Sequence, residues 1–347
     1  MKSIRRLRSA AAVHRRKTLT LCIMVALLIG VAFARYAASP INPSFTLKTV
    51  NIPKGVSFFQ ITEILNEAGL AENRLFFWVL AYAKGSTKSI RAGEYELSGS
   101  MSPSKIIEKL VRGEIKSYTV TLTEDITLNE AARKLAALKL INEEEFAALA
   151  TDKSFLDSLG IEGDSIEGYL FPETYQFNRS MTTKEVILVI VRQFWMEITP
   201  EMRKEAEKIG LTLNQWVTLA SLIGKETGKK DEKTLISAVF HNRLARGMKL
   251  QSDPTAVYHL EQQGAPVKTI LRKHLAADSP YNTYRIPGLP PGPIANPGRD
   301  SLLAALYPER VGYLYFVSTN DGSHHFSNSL EKHNQAVSKY QINRQKK

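Results

Sequence analysis

The run TLTLCIMVALLIGVAFA, Thr18–Ala34, carries no charge over 17 residues and constrains this chain before any other feature. Arg35 can bury its stem while its guanidinium reaches water, and Tyr36 suits an interface. Thr18–Ala38 is thus long enough to cross a bilayer as a helix. Lys2, Arg5, Arg6, Arg8, Arg15, Arg16 and Lys17 precede the run, and only Arg35 follows closely. That asymmetry predicts a cytoplasmic basic tail over 1–17, a single-pass transmembrane helix over 18–38, and export of everything beyond. A cleaved signal peptide is the alternative, but its apolar core is usually shorter and no A-x-A site follows Ala34.

The anchor changes what the composition means. Of the net charge of +12 on 347 residues, the first 38 residues hold eight and contain no acid, which leaves +4 for the remainder. The bulk of the protein is therefore not built to bind a polyanion, and nucleic acid is not an expected partner. The single cysteine, Cys22, lies inside the apolar run. The exported part needs no disulfide, and a cysteine nucleophile or thiolate metal site is excluded there.

Beyond a short linker, Ser39–Ser44, lies a weak internal repeat. Ile52–Ala81 and Leu122–Thr151 align at an offset of 70, with Ile52 on Leu122, Val56 on Ile126, Leu65 on Leu135, Leu70 on Leu140 and Phe76 on Phe146. Each copy reads as a short strand, a turn, an N-cap at Ser57 or Thr127, and two helices. Shared amphipathicity alone could also produce the match. Ile90–Leu97 reads as a strand and Ser102–Val111 as a helix with Pro103 in its first turn. Helices are predicted at Thr183–Met196, Pro200–Ile209, Leu213–Thr227 and Glu232–Arg246. Tyr313–Thr319 and His324–Phe326 read as a hairpin around Asp321-Gly322, and a last helix runs from Ser327 or Asn328 to about Tyr340. The pattern is α+β: strand–helix–helix modules, then a mixed helix-rich part with a small sheet.

Within it, Trp216–Glu226 (WVTLASLIGKE) reads as a helix capped by Thr212 and Gln215, with Trp216, Leu219, Ala220 and Ile223 as its apolar stripe. At about 100° per residue, Glu226 falls about 20° from Leu219 and about 40° from Leu222. Its carboxyl leaves from the apolar side in the last turn, and Gly228 offers a left-handed helix stop. Apolar surroundings and the negative helix end both disfavour the anion, so Glu226 can keep a proton near neutral pH and act as a general acid. An exposed Glu paired with Lys229 or Lys230 is the plainer alternative.

Two stretches lack helical texture. Gln251–Tyr258 is turn-rich. In Asp278–Gly298, nine of 21 residues are Pro or Gly, with Tyr281, Tyr284, Arg285, Ile286 and Leu289 interleaved. A solvated linker has no use for those side chains, so an ordered binding loop is predicted. The region 166–298 is rich in aromatic, amide and carboxylate groups of the kind that hold sugars. Other chemistries fit worse. Ser102-x-x-Lys105 lacks the partner motifs of Ser–Lys enzymes. His324, His325 and His333 lack metalloprotease spacing, so no metal is expected. No phosphate-binding loop is present.

The segments IEGYLFPETY (166–175), LASLIGKET (219–227), FHNRL (240–244), LQSDPTAVY (250–258), SPYNTYRIPGLPPGPIANPG (279–298) and HHFSNSLEKHN (324–334) resemble, in order and spacing, the signature blocks of the endolytic murein transglycosylases, the MltG or YceG-like family. The likeness is strong over 166–334 and loose before it. It implies an inner-membrane protein with a periplasmic catalytic domain that cuts peptidoglycan glycan strands internally. Such cleavage leaves 1,6-anhydro-muramyl ends and needs no cofactor. The family's catalytic Glu corresponds to Glu226. Its blocks put Tyr169, Glu173, Gln251, Ser252, Asp253, Thr255, Tyr258, Tyr281, Asn282, Thr283, Tyr284, Arg285 and Asn296 forward as substrate-binding residues. Peptidoglycan synthases are the implied protein partners. The implied domains are a LysM-like subdomain at 45–115, a connecting strand–helix unit at 116–160 and the catalytic domain at 161–347. Relatives commonly carry a Glu where this chain has Gly224. A hydrolytic muramidase with Glu173 or Asp253 as second carboxylate, and a peptidoglycan-binding scaffold without activity, are the alternatives.

Overall fold

The structure, a computed structural model, describes residues 2–42, 45–265, 267 and 269–342. Pro43 and Ser44 of the expected linker and the last five residues lie outside the described residues. The chain forms two compact units, Met1–Ser117 with Asn178–Ser180, and Tyr118–Phe177 with Met181–Lys347.

The first unit begins with helix α1, Lys2–Ala38. Within it His14–Ala38 contains an exposed 18-residue stretch with a mean hydropathy of 2.2, so it is long and apolar enough to cross a membrane. Strand β1 (Leu47–Ile52), helices α2 (Phe58–Glu67) and α3 (Arg74–Ala83), strand β2 (Gly93–Ser98) and helix α4 (Pro103–Arg112) follow. β1 and β2 are antiparallel, from Leu47↔Ser98 to Ile52↔Gly93. The sequence suggested a strand from Ile90. Pairing starts three residues later because β1 ends at Ile52 before Pro53, and Arg91 instead sends its N–H to the Leu110 carbonyl. A capping box at Ser57–Gln60, an Asn73 cap and a Ser102 cap with Pro103 behind it fix the three helix starts. Their inner faces bury Leu65, Phe77, Leu80, Ile106 and Leu110 against Val50, Ile52, Tyr95 and Leu97.

The second unit opens the same way. Strand β3 (Tyr118–Thr121) leads to α5 (Leu128–Ala137), α6 (Glu143–Thr151), the short α7 (Lys153–Ser158) and β4 (Thr174–Phe177). β4 pairs antiparallel with β3. α5 starts 70 residues after α2, on the same kind of capping box at Thr127–Glu130. The repeat slips by one residue at the second helix: buried Phe146 matches buried Phe77, not Phe76. Helices α8 (Thr183–Glu197), α9 (Pro200–Lys208), α10 (Leu213–Glu226), α11 (Lys230–Ala245), α12 (Asp253–Gln262), α13 (Arg272–Leu275) and α14 (Arg299–Leu306) come next. Hairpin β5 (Tyr315–Ser318) and β6 (His324–Ser327), then α15 (Leu330–Val337) continued by a π-helical turn over Ser338–Ile342, close the described part of the unit. Residues of the expected connecting stretch, Val120 to Ile161, share one core with Ile166 to Leu306.

α10 is the centre of that core, packed on α9, α11, α12 and α14. Trp216 through Gly224 are all buried, Thr218 and Ser221 included. The apolar stripe is thus one side of a helix enclosed all round, and its polar side chains bond internally: Ser221 Oγ donates to the Thr218 carbonyl and accepts from the Ile294 N–H. Trp216 Nε1 ties the helix to α14 through the Leu302 carbonyl at 2.8 Å.

Candidate active site

Glu226 is the last residue of α10, where the helix leaves the core and its side chain becomes partly exposed. The helix stops at Thr227 in an extended conformation (φ −147°). Gly228 is not left-handed, so the glycine stop expected from sequence is not used. The carboxyl meets the start of α12. Ser252 Oγ donates to Glu226 Oε1 at 2.5 Å, and the Asp253 N–H donates to the same carboxyl. Ser252 occupies the N-cap position but caps nothing; its hydroxyl is spent on Glu226.

Glu226 therefore sits between the negative end of α10 and the positive end of α12, whose dipoles act on it oppositely. Burial among protein atoms is the largest influence and, opposed by the Ser252 hydrogen bond, raises the carboxyl to about 7. Asp253 adds to the rise, while Arg243 works against it. The sequence argument had the direction and the burial; it lacked the second helix end. A carboxyl poised near neutrality can donate a proton and take one back.

The surroundings are held from behind. Arg243 is buried, with its guanidinium donating to the carbonyls of Leu314 (2.7 Å) and Leu250 (2.7 Å). It fixes the turn where Gln251 takes φ +50° before α12. Ser252 N–H donates to Thr283 Oγ1, which also meets Thr255 Oγ1 at 2.8 Å. This joins the start of α12 to the proline-rich loop. In that loop Asn282 bonds the Ala277 carbonyl and accepts from the Tyr284 N–H, so the tyrosine hydroxyl reaches Asp253 Oδ1 at 2.5 Å. The loop is ordered, with Pro293 to Pro297 buried.

The residues brought forward from sequence thus divide. Glu226, Asp253, Tyr284 and Gln251 keep exposed or partly exposed side chains around one point, and Arg285 projects into solvent from the same loop. Ser252, Thr255, Asn282 and Thr283 are fully buried and brace that point. Tyr258 and Tyr281 meet with tilted rings, centroids 4.8 Å apart, on the wall of a separate cavity of about 640 Å³ along α12. Tyr169 is buried edge-on to Phe194. Asn296 is buried, accepting from Gly168 and Leu170 N–H and donating to the Ile126 carbonyl and Glu167. Glu173 is exposed beside β4, with its carboxyl on the neighbouring Thr174 N–H, and no bond links it to Glu226. Ser252, Thr255, Thr283 and Asn282 bond to one another or to the backbone of the loop and so hold the start of α12 and Tyr284 in place.

Three groups were missed. Glu167 is buried, held by the Leu128 N–H, Asn296 and the Tyr258 hydroxyl, and raised to about 7 by burial. Its neighbours in IEGY gave no sign of such a role. Arg243 lies in FHNRL, off the apolar stripe that Ile236, Val239, Phe240 and Leu244 form at helical spacing, and that position was the available signal. Asp125 comes from the turn before α5, at φ +60°. A Cβ on Gly224 would lie 1.8 Å from Asp125 Oδ1, so any larger residue there requires the Asp125 carboxylate to move. Burial raises Asp125 to about 6. Among the described residues no three His, Cys, Asp or Glu side chains are placed to hold a metal.

A sequence profile of the YceG-like family matches residues 50–339. The chain belongs to the YceG-like family. An endolytic murein transglycosylase of Bacillus subtilis is 34% identical over 333 residues, covering 90% of this chain and 91% of that protein. One of Streptococcus pneumoniae is 31% identical over 323 residues, covering 84% of this chain and 58% of that protein. A YceG-like protein of Listeria monocytogenes, solved at 2.6 Å, superposes with a TM-score of 0.58 at 33% identity, over 84% of this chain and all of that one. The YceG-like match takes in Glu226, α12 and the proline-rich loop.

Proposed function

We propose that this YceG-like protein is an endolytic murein transglycosylase that cleaves MurNAc–GlcNAc bonds within peptidoglycan strands, with Glu226 as its one acid and base. The observation that carries the reading is the Glu226 carboxyl, raised to about 7 at the meeting of two helix ends, in a chain similar to proteins of that name. Protonated Glu226 donates to the glycosidic oxygen, and the bond to C1 breaks. The C6 hydroxyl of the same MurNAc attacks C1 and gives its proton to the carboxylate. A 1,6-anhydro end forms, the leaving sugar keeps the first proton, and no water is consumed. Because the nucleophile is internal, no second carboxylate is required, unlike hydrolytic glycosidases.

The same proposal assigns α1 as a single-pass inner-membrane anchor with its basic end cytoplasmic, and the rest as periplasmic. It assigns residues 45–115 as a LysM-like subdomain, 116–160 as a connecting unit and 161–347 as the catalytic part. Asp253, beside Glu226, favours a hydrolytic muramidase as the second reading.

Intact sacculi are incubated with the detergent-solubilised protein and the new ends analysed by mass spectrometry. Wild type should give ends lighter by one water than hydrolysis would. Glu226→Gln should be slower by about 10⁴, the upper range for loss of general acid–base assistance. A near-normal rate for that variant would sink the assignment, and reducing ends would hand the reaction to the muramidase.

A further inference from the structure

Helix α3, RLFFWVLAYA, turns an apolar face away from its own unit. At about 100° per residue, Leu75, Trp78, Val79 and Tyr82 share one arc about 100° wide, opposite the Phe77, Leu80 and Ala81 face that enters the core. These four are 68%, 46%, 37% and 67% exposed. Trp78 and Tyr82 stack face to face at 5.4 Å. The helix contains no carboxylate and is bounded by Arg74 and Lys84.

Its position is fixed against the membrane helix. Phe33 and Tyr36 of α1 set their rings edge-on to Phe76, at 5.6 and 5.5 Å. The Tyr36 hydroxyl donates to the Asn73 carbonyl at 3.2 Å. The first turn of α3 is therefore pinned where the apolar run of α1 ends, and Phe76 adjoins the exposed arc on the helix surface.

We propose that α3 lies in the surface of the bilayer that α1 spans, with Leu75, Trp78, Val79 and Tyr82 sunk into the headgroup–acyl boundary. This rests on the anchor reading above. An in-plane helix of this kind presents aliphatic and aromatic groups to lipid, and Trp and Tyr favour that depth. A glycan strand is the other class of occupant for an aromatic pair. Leu75 and Val79 flank the stack and offer a sugar no hydrogen bond, so lipid fits the face better.

The test uses the full chain in vesicles of phosphatidylethanolamine and phosphatidylglycerol whose acyl chains are brominated near the headgroup. The three tryptophans are Trp78, Trp195 and Trp216, and the difference between wild type and Trp78→Phe isolates Trp78. Bromolipid should quench the Trp78 share about twofold or more, as expected for a ring about 5–10 Å into the interface. Protein that resists carbonate extraction but shows an unquenched Trp78 would overturn this inference and leave the anchor standing. Protein released by carbonate would overturn both. Quenching of Trp78 by added glycan fragments, with none by bromolipid, would make the face a sugar platform and overturn the proposal.

Discussion

At the scale of single residues, the state of one proton decides the behaviour. Glu226 stands near 7 when folded, against an ordinary 4.5. Between those values the folded protein holds a proton that the unfolded chain has lost. The contribution of Glu226 to stability is intact below about 4.5 and declines as pH rises through about 7. Relative to wild type, Glu226→Gln should gain stability across that window, by at most about 3 kcal/mol and less after screening at a partly exposed carboxyl. Melting temperatures at pH 4.5 and 8 check this: equal values at the lower pH, the variant higher at the upper. Ser252→Ala removes a hydrogen bond that lowers the Glu226 pKa. Its alkaline activity limb should move upward, by up to about one unit for a lost charged hydrogen bond of about 1.5 kcal/mol. A limb that stays put would show that the hydroxyl does not tune the acid. Gly224→Ala should destabilise by about 1–3 kcal/mol through overpacking against Asp125. In an Asp125→Gly background most of that cost should vanish, a non-additivity expected of touching sites. Additive costs in denaturant titrations would place the clash elsewhere.

At the scale of elements, periodicity and caps made most helices legible. Thr212–Gln215 and the apolar stripe located α10, because a capping box is a local arrangement. α12 was not legible. Its Pro254 reads as a breaker in isolation, yet proline is tolerated in a first turn where its missing N–H has no partner to lose. Strand limits were lost for a different reason: β2 begins where β1 ends, and a partner about 45 residues away leaves no local mark. Within the site, sequence blocks supplied Glu226, Asp253 and Tyr284. They could not separate those that face outward from Asn282, Thr283 and Asn296, whose amides and hydroxyls are consumed inside the fold. Tyr284 extends from the loop to Asp253 with its hydroxyl made less acidic by burial. Tyr284→Ala should raise the substrate concentration needed for half-maximal cleavage several-fold while shifting the melting temperature little. A collapse in melting temperature would make the side chain structural.

At the scale of the whole molecule, the proposed anchor predicts an orientation from the basic residues that precede the apolar run. A reporter fused after the C-terminus should be active only in the exported compartment, and activity of a cytoplasm-restricted reporter there would defeat the anchor assignment. The chain emerges from its N-terminus, and its two units differ in how much of it they need. β1 and β2 of the first unit are complete by Ser98. The turn that aims Ser252 at Glu226 is fastened by Arg243 to the carbonyl of Leu314, and the turn before α5 is bridged to Asn296. Nascent protein therefore carries Glu226 for nearly ninety residues of further synthesis before its proton is tuned. Long-range closure of this kind is slow, so an unfinished chain holds the acid but not the scissors.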